Sequence, residues 1–494
     1  MMEELLIGLD IGTSSVKAVL TTPEGRIVAQ TSVAHPTYYP RAGWAEQDPQ
    51  DWWQGVVQAV RRLEAPAHGR VAGIGVSGQG CGVTLIGRDG ELVRPAIIWM
   101  DTRSEPQSQR LRDCCMQDIL TQNGKMPASY NADPVLMWLV EHEPESIAAA
   151  ETSLTATAYI NYRLCGQKFT NLSDGSILFA FDLASHTWSE DLVQTFELPM
   201  RLYPKLAGCD QVIGALKPVA AAELGLPPGI PVIAGGEDTS SAGLASGAVR
   251  QGMAFLSLGT AGTVYVPADH RTVHPQLLTF LHVLEGQYLL GGSMAALGAS
   301  LAWCREVLGQ GMDFEEMIAL AAKSEPGAGR LIFLPYMSGE LQPINDGYAR
   351  GMLFGLSLST KQPDIVRAVL EGTAFAIAHN LSIIESQGIP ITEVHGVGGP
   401  TRSALWCQII ADVIGRPLQS VSNAGGAPLG NALLAAQAVG LIPNAAETAL
   451  QAARIERVYH PDPGLAERYQ AQFEIYRQLY PQVKEQYTRL ARLP

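Results

Sequence analysis

The chain has 494 residues, 47% of them hydrophobic and only 17% charged, a composition that supplies sizeable cores and excludes a solvated, disordered polymer. Lys and Arg total 34 against 48 Asp and Glu, a formal net charge of −14, which argues against nucleic acid or an anionic membrane surface as a partner. The seven cysteines, an odd number without a CxxC pair, read as free thiols of a reducing compartment, which predicts a cytoplasmic protein.

In chain order, the acidic start Met1-Met2-Glu3-Glu4 runs straight into a strand pattern, which predicts no signal peptide. Leu9-Asp10-Ile11-Gly12-Thr13-Ser14-Ser15-Val16 reads as strand, tight turn, strand. Asp48 as N-cap and Pro49 at the first helical position open a helix carrying Trp52, Trp53, Val56, Val57 and Val60 at helical spacing. Strands follow at 71–76 and 83–86, with a hairpin turn at Asp89-Gly90. Residues 230–234 form a short buried strand that ends in Gly235-Gly236-Glu237-Asp238, and a helix is predicted from Thr239 to a stop near Gly247. Leu256-Ser257-Leu258-Gly259-Thr260-Ala261-Gly262-Thr263-Val264 then repeats the first hairpin. Gly12 and Gly259 stand 247 residues apart, half the chain's 494, so the chain reads as two related domains, 1–247 and 248–494, without a long linker. The second half continues with a strand at 288–290 and helices at 295–307, 364–386, 403–414 and from about Leu429. Its most apolar stretch, 427–442, is interrupted by Asn431 and Gln437 and is too short to span a bilayer. The residues after Gly464 read as a polar helical appendage.

Three of these segments carry chemistry. Gly12-Thr13-Ser14-Ser15 offers successive backbone N–H groups and three hydroxyls able to cradle phosphate. Asp10, at the end of the preceding strand, could hold hydrated Mg²⁺; an ordinary hairpin turn is the alternative. Gly259-Thr260-Ala261-Gly262 would embrace phosphates from the opposite side, with Ser257 where the first hairpin has Asp10, so the pair supplies one carboxylate. In Val394-His395-Gly396-Val397-Gly398-Gly399-Pro400-Thr401-Arg402-Ser403 a strand enters a glycine-rich bend and then a helix. There the backbone can approach a flat ligand, and the helix N-terminus favours an anionic group. Two further matches are rejected. Gly73-Ile74-Gly75-Val76-Ser77-Gly78 fits GxGxxG but is followed by a strand instead of a helix. His270 and His274 have metal-like spacing but lie in a loop bracketed by Pro267 and Pro275.

Three nucleotide-type turns in this order, in duplicated halves, resemble the actin-like ATPase superfamily. The segments Gly43-Trp44-Ala45-Glu46-Gln47-Asp48-Pro49 and Pro95-Ala96-Ile97-Ile98-Trp99-Met100-Asp101-Thr102-Arg103 resemble motifs of the FGGY carbohydrate kinases. So does the pair Gly351-Met352-Leu353-Phe354-Gly355-Leu356 and Asp364-Ile365-Val366-Arg367-Ala368-Val369-Leu370-Glu371, and the resemblance spans about residues 5–445. Within that family the likeness is greatest to the xylulose kinases, through Ile233-Ala234-Gly235-Gly236-Glu237-Asp238 and Leu334-Pro335-Tyr336-Met337-Ser338-Gly339-Glu340.

The resemblance implies an α/β fold of two duplicated ribonuclease-H-like domains around a central cleft, with ATP and Mg²⁺ as cofactors. It implies transfer of the γ-phosphoryl group to a ketopentose hydroxyl, D-xylulose foremost. Asp238 inherits the part of catalytic base and, with Asp10, of metal ligand; its structural alternative is the N-cap of the helix that follows. Gly12, Thr13, Ser14, Gly259, Thr260, Gly398, Gly399 and Ser403 inherit nucleotide contacts, with Trp303 beside the adenosine by analogy. Gly80, Cys81, Asp101, Asp238 and Thr239 inherit the sugar pocket. A homodimer is common among such relatives. The chain also departs from the pattern. Gly80 and Cys81 stand where Met-His is usual, Met100 where Asn is, Glu237 where Gly is, Thr239 where Asn is, Val135 where Lys is, and Pro400 where a small residue is. These changes leave open another acceptor (L-xylulose, ribulose, a gluconate-like acid or a tetritol) and, outside catalysis, an ATP-switched sugar sensor.

Overall fold

A computed structural model describes residues 3–64, 69–422 and 425–493. Each half of the chain builds one seven-stranded mixed sheet. In the first, the strands lie in the order Val212–Ala215, Pro231–Ile233, Gly69–Gly78, Glu3–Ile11, Ser15–Thr21 and Ile27–Ala34, and the short Gly236–Glu237 also pairs with Gly69–Gly78. In the second the order is Leu278–Leu281, Tyr288–Met294, Gly262–Ala268, Met253–Leu258, Glu393–Gly398, Leu418–Val421 and Ile455–Tyr459.

The duplication expected from the two hairpins is written into the pairing. Glu3–Ile11 runs antiparallel to its hairpin mate and parallel to Gly69–Gly78, while the mate pairs antiparallel with a third strand. Met253–Leu258 repeats each of these relations with Gly262–Ala268, Glu393–Gly398 and Tyr288–Met294. The central strands are buried on both faces, with Leu5, Leu6, Ile7 and Leu9 in one sheet and Leu256 and Leu258 in the other at 2% exposure or less, as parallel strands covered by helices must be. The register sets Asp10 between Lys17 and Ser77, and Ser257 between Thr263 and Val397.

Helices complete the layers. The helix Pro49–Arg61 starts on an Asp48 side chain that accepts from Gln50 N, and it buries Trp52, Trp53, Val56 and Val60 against the first sheet. Gln362–Ser386 runs through the second core with Val366, Val369, Leu370, Phe375 and Ile377 fully buried. One helix crosses between the halves: Gly426–Ala438 belongs to the second half in sequence, yet it packs on Glu3–Ile11, Gly69–Gly78 and the helix Asp238–Ala245. The approach is backbone to backbone, since a Cβ on Gly8 would stand 1.8 Å from the Pro428 carbonyl oxygen.

Boundaries shift modestly from those predicted. The strand at 288 continues through Gly291 and Gly292 to Met294, and the helices expected at 295 and about 429 begin at Leu297 and Gly426. The terminal helix Ala466–Ala491 is no polar appendage. Tyr469, Tyr476, Tyr480 and Tyr487, spaced at seven, four and seven residues, form a buried stripe against Tyr336 and Phe375. A tyrosine counts as polar in composition but buries its ring when it recurs on one helix face. Among the described residues no helix is long and apolar enough to cross a membrane.

Candidate active site

Acidic residues from several elements meet where the first sheet ends. Asp10, the penultimate residue of the strand Glu3–Ile11, is 5% exposed; Ser77 Oγ donates to its Oδ1 at 3.0 Å and Lys17 Nζ lies 3.6 Å from its Oδ2. Burial, and then the negative charge of Asp238, push Asp10 up to about 6, against the pull of Lys17 and Ser77. Asp238 reaches this spot because the chain leaves the strand Pro231–Ile233, makes a turn at Gly235, and re-pairs Gly236–Glu237 beside Ser77 and Gly78. The helix Asp238–Ala245 follows at once, and its cap is Glu237, whose Oε2 accepts from Ser240 N at 2.7 Å. Asp238 is therefore not spent as the N-cap. It stands in the first turn, partly accessible, with Thr239 Oγ1 donating to its Oδ1 at 3.0 Å. Loss of bulk water, then repulsion from Glu237, hold Asp238 well above the usual carboxylate range.

The Gly12 turn is braced from a distance. His35 Nε2 and Gly12 O are 3.0 Å apart, Gln47 Nε2 donates to Thr13 O at 2.6 Å, and Trp99 Nε1 donates to Thr13 Oγ1 at 2.9 Å. With its carbonyls turned to these donors, the turn keeps Gly12, Thr13, Ser14 and Ser15 at least partly exposed. The equivalent turn of the second half is braced by a helix. Gly298 N and Ala299 N, in the first turn of Leu297–Leu308, donate to Gly259 O and Thr260 O at 3.0 Å each, which satisfies two of that helix's otherwise unpaired N–H groups.

A cavity of about 820 Å³ opens beside this second turn. Gly259, Thr260, Gly399 and Ser403 contribute its polar rim, while Leu258, Leu301, Ala302, Phe314, Ile318 and Trp406 contribute apolar wall. Ser403 Oγ caps the helix Ala404–Ile414 by accepting from Trp406 N at 3.2 Å, so a helix N-terminus opens on the cavity. This combination suits a flat apolar group and an anionic one on the same ligand. Gly398 lies one residue behind the lining. Trp303 differs from its expected place: it is not among the lining residues and instead stacks on Phe333, rings 6.2 Å apart. Its helix turns Ala302 to the cavity, and Phe314 supplies the aromatic face.

The positions expected to hold the sugar separate into two kinds. Gly80, Cys81, Asp238 and Thr239 are all partly accessible. Cys81 adopts a left-handed backbone with φ 62°, and Asn131 Nδ2 stands 3.8 Å from its Sγ. Asp101 is the correction. It is 1% exposed and its carboxylate is saturated, Oδ2 by Ala45 N and Arg103 Nη2 at 2.6 and 2.8 Å, Oδ1 by Arg103 N and Nε at 2.8 and 2.9 Å. Arg103 is in turn held over the Trp44 ring at 3.7 Å and donates to Glu46 at 2.7 Å. Asp101 thus ties the 43–46 and 101–103 segments together and has no free acceptor facing a ligand. Spacing alone also misses two buried groups behind this pocket. Lys125 Nζ donates to Ser176 O at 2.8 Å and, across to the second half, Thr279 O at 2.7 Å, and burial lowers it to about 7. Asp174 is fully buried on the short helix capped by Asn171, and burial raises it to about 7.

Residues 5–245 match the N-terminal domain, and residues 254–439 the C-terminal domain, of the FGGY family of carbohydrate kinases. The chain belongs to this family. It is accordingly an ATP-dependent sugar kinase with the duplicated actin-like ATPase fold. The xylulose kinase of Escherichia coli (strain K12) is 31% identical over 97% of this chain and 99% of its own. Among solved structures, the xylulose kinase from Rhodospirillum rubrum superposes with a TM-score of 0.93 at 32% identity, covering 98% of this chain and 100% of that one. The gluconate kinase from Lactobacillus acidophilus gives 0.94 at 26% identity, covering 99% of each.

Proposed function

We propose that the protein transfers the γ-phosphoryl group of ATP to a hydroxyl of a ketopentose, D-xylulose foremost, with Asp238 as the general base. The observation that carries this reading is the placement of Asp238: a partly accessible carboxylate at the start of a helix, relieved of capping by Glu237 and set beside Asp10. A carboxylate held above its ordinary range is a better acceptor for a sugar hydroxyl proton. Thr239 Oγ1 orients it by donating to Oδ1.

The family resemblance also implies Mg²⁺, and the residues present fit it. Asp10 is a buried carboxylate whose cationic neighbour, Lys17, stays 3.6 Å away, and its ionisation is opposed by a second carboxylate at Asp238. Oxygen donors of this kind suit a hard cation. Among the described residues no three His, Cys, Asp or Glu side chains gather as a ready-made metal cage, in keeping with a Mg²⁺ that takes one or two carboxylates and completes its shell with water and phosphate oxygens. When bound, it would neutralise charge developing on the phosphates.

The chain's own groups do the rest by positioning. The cavity beside Gly259, Thr260, Gly399 and Ser403 holds the nucleotide's flat and anionic parts, and the Gly12-Thr13-Ser14 turn receives phosphate from the first half. Gly80, Cys81 and Thr239 line the acceptor side. The protein acts in the cytoplasm on small molecules. The test is ADP release, in a coupled assay with Mg·ATP, against D-xylulose, L-xylulose, D- and L-ribulose, glycerol, erythritol and gluconate. Turnover strongest with D-xylulose supports the reading. Turnover with another acceptor moves the substrate and keeps the chemistry, and silence across the panel with ATP bound overturns it.

A further inference from the structure

The acceptor side of the site is rich in carboxyl and amide oxygens. Glu237 is 7% exposed; its Oε2 caps its helix, and its carboxyl lies against that of Asp238. Gln79 is 2% exposed; its Nε2 is taken by Gln47 Oε1 at 2.7 Å, and its Oε1 is buried with no hydrogen-bond partner. Asp174 binds Asn171 Nδ2 through Oδ2 at 2.7 Å, while its buried Oδ1 has no donor in bonding geometry, although the hydroxyls of Thr155 and Thr157 stand near. Two donors of the neighbourhood are already committed. Lys125 gives its hydrogens to Asn123, Ser176 and Thr279, and Asn131 Nδ2 binds Ile177 O at 2.7 Å. Gln79 Oε1 and Asp174 Oδ1 are sealed from solvent, so of these acceptors it is Glu237 that a bound hydroxyl can approach.

Steric fit points to Glu237 among these acceptors. A Cβ on Gly80 would stand 2.4 Å from Ile177 Cδ1 and 3.9 Å from Glu237 Cγ. The space a side chain at position 80 would enter is therefore closed by Ile177 and bordered by Glu237. Cys81, next in the chain, brings a thiol that burial keeps neutral, so that strand end offers the acceptor no charged partner.

We infer that Glu237 is a specificity residue of the phosphoryl acceptor, taking hydrogen bonds from hydroxyls beside the one that Asp238 deprotonates, and that the site selects neutral polyhydroxylated sugars over sugar acids. An aldonate carries a carboxylate that can donate nothing to these acceptors, and its charge adds to a cluster of carboxyls that already oppose one another's ionisation. The inference rests on the kinase reading and deepens it.

The experiment measures sugar binding by calorimetry and sugar turnover in parallel, for the wild type, Glu237→Gln and Glu237→Gly, with D-xylulose and D-gluconate. The Gln variant keeps a carbonyl oxygen to accept from Ser240 N, so its fold is retained, as its melting temperature would show. The expected result is a KM for D-xylulose raised about tenfold in Glu237→Gln, in line with the loss of one charge-assisted hydrogen bond, and further in Glu237→Gly. The KM for ATP stays unchanged, and gluconate binds the wild type weakest of all and gains in both variants. A KM for D-xylulose within twofold of wild type in a folded Glu237→Gln, or gluconate bound by the wild type as tightly as the neutral sugar, overturns the inference. If the wild type binds D-xylulose but does not phosphorylate it, the D-xylulose assignment fails, and the binding arm alone decides on Glu237.

Discussion

Gly398 offers the sharpest test of how the nucleotide cavity is built. Its φ of 111° and ψ of −179° belong to a region that only glycine adopts at ease. A Cβ there would lie 2.0 Å from the Leu258 carbonyl oxygen, where ordinary contact begins at 3.4 Å, so Gly398→Ala demands a movement of about 1.4 Å. The atom struck is backbone of the paired strand, in register with Gly398 itself, and cannot swing aside. Backbone strain of about 1–3 kcal/mol and overpacking of about 1–3 kcal/mol together predict a loss of about 2–6 kcal/mol. Because Leu258 leads into Gly259 and Gly398 into Gly399, the displacement is delivered to both lips of the cavity. The neighbour is the control: a Cβ on Gly399 meets nothing within 4 Å, so Gly399→Ala should melt with the wild type while placing a methyl in the cavity. Thermal melts and calorimetric titration with ADP read both effects. Gly398→Ala should melt several degrees lower and bind ADP at least tenfold more weakly. A Gly398→Ala protein indistinguishable from wild type in both assays would refute the reasoning.

Other outcomes follow from the same geometry. Asp101→Ala should lower the stability of the first half by about 3 kcal/mol, because it strips a buried guanidinium of its main partner, as read by denaturant melts; a raised sugar KM without loss of stability would restore Asp101 to the pocket. Lys125 is lowered from 10.5 to about 7 by burial, so between those values the unfolded chain holds the proton more often and stability rises with pH. Below pH 7 the full penalty is present. From pH 7 to 9 the wild type should therefore gain up to about 2.7 kcal/mol relative to Lys125→Met, and parallel stability profiles would contradict this. Tyr476→Ala removes a ring 1% exposed that lies 5.4 Å from that of Phe375, and should cost about 3–5 kcal/mol in a denaturant melt; an unchanged midpoint would return the last helix to the status of an appendage.

Much of this was legible because it is local. The two Gly-Thr turns, the Asp48-Pro49 helix start and the strand-to-bend passage at 394–403 each announce themselves over a few residues, and their repetition at half the chain length exposed the duplication. What stayed hidden depends on partners far away in sequence. Trp99 reaches Thr13 across 86 residues and Gln47 across 34, and no spacing rule links them. Asp101 sits in a motif that reads as a ligand site, but its donors are Ala45, 56 residues away, and its own neighbour Arg103. For Trp303, helical phase decided the matter: the next residue back faces the cavity, and a rotation of one position is beyond what periodicity resolves over a short amphipathic helix. The tyrosine stripe at 469–487 carried a signal in its heptad-like spacing that composition obscured.

Asp238 is the hinge of the whole account. With D-xylulose and Mg·ATP in excess, the rate of ADP release by Asp238→Asn should fall about 10²–10⁴-fold, with melting temperature and ATP binding those of the wild type. A folded, ATP-binding Asp238→Asn protein that retains more than a tenth of the wild-type rate would contradict it.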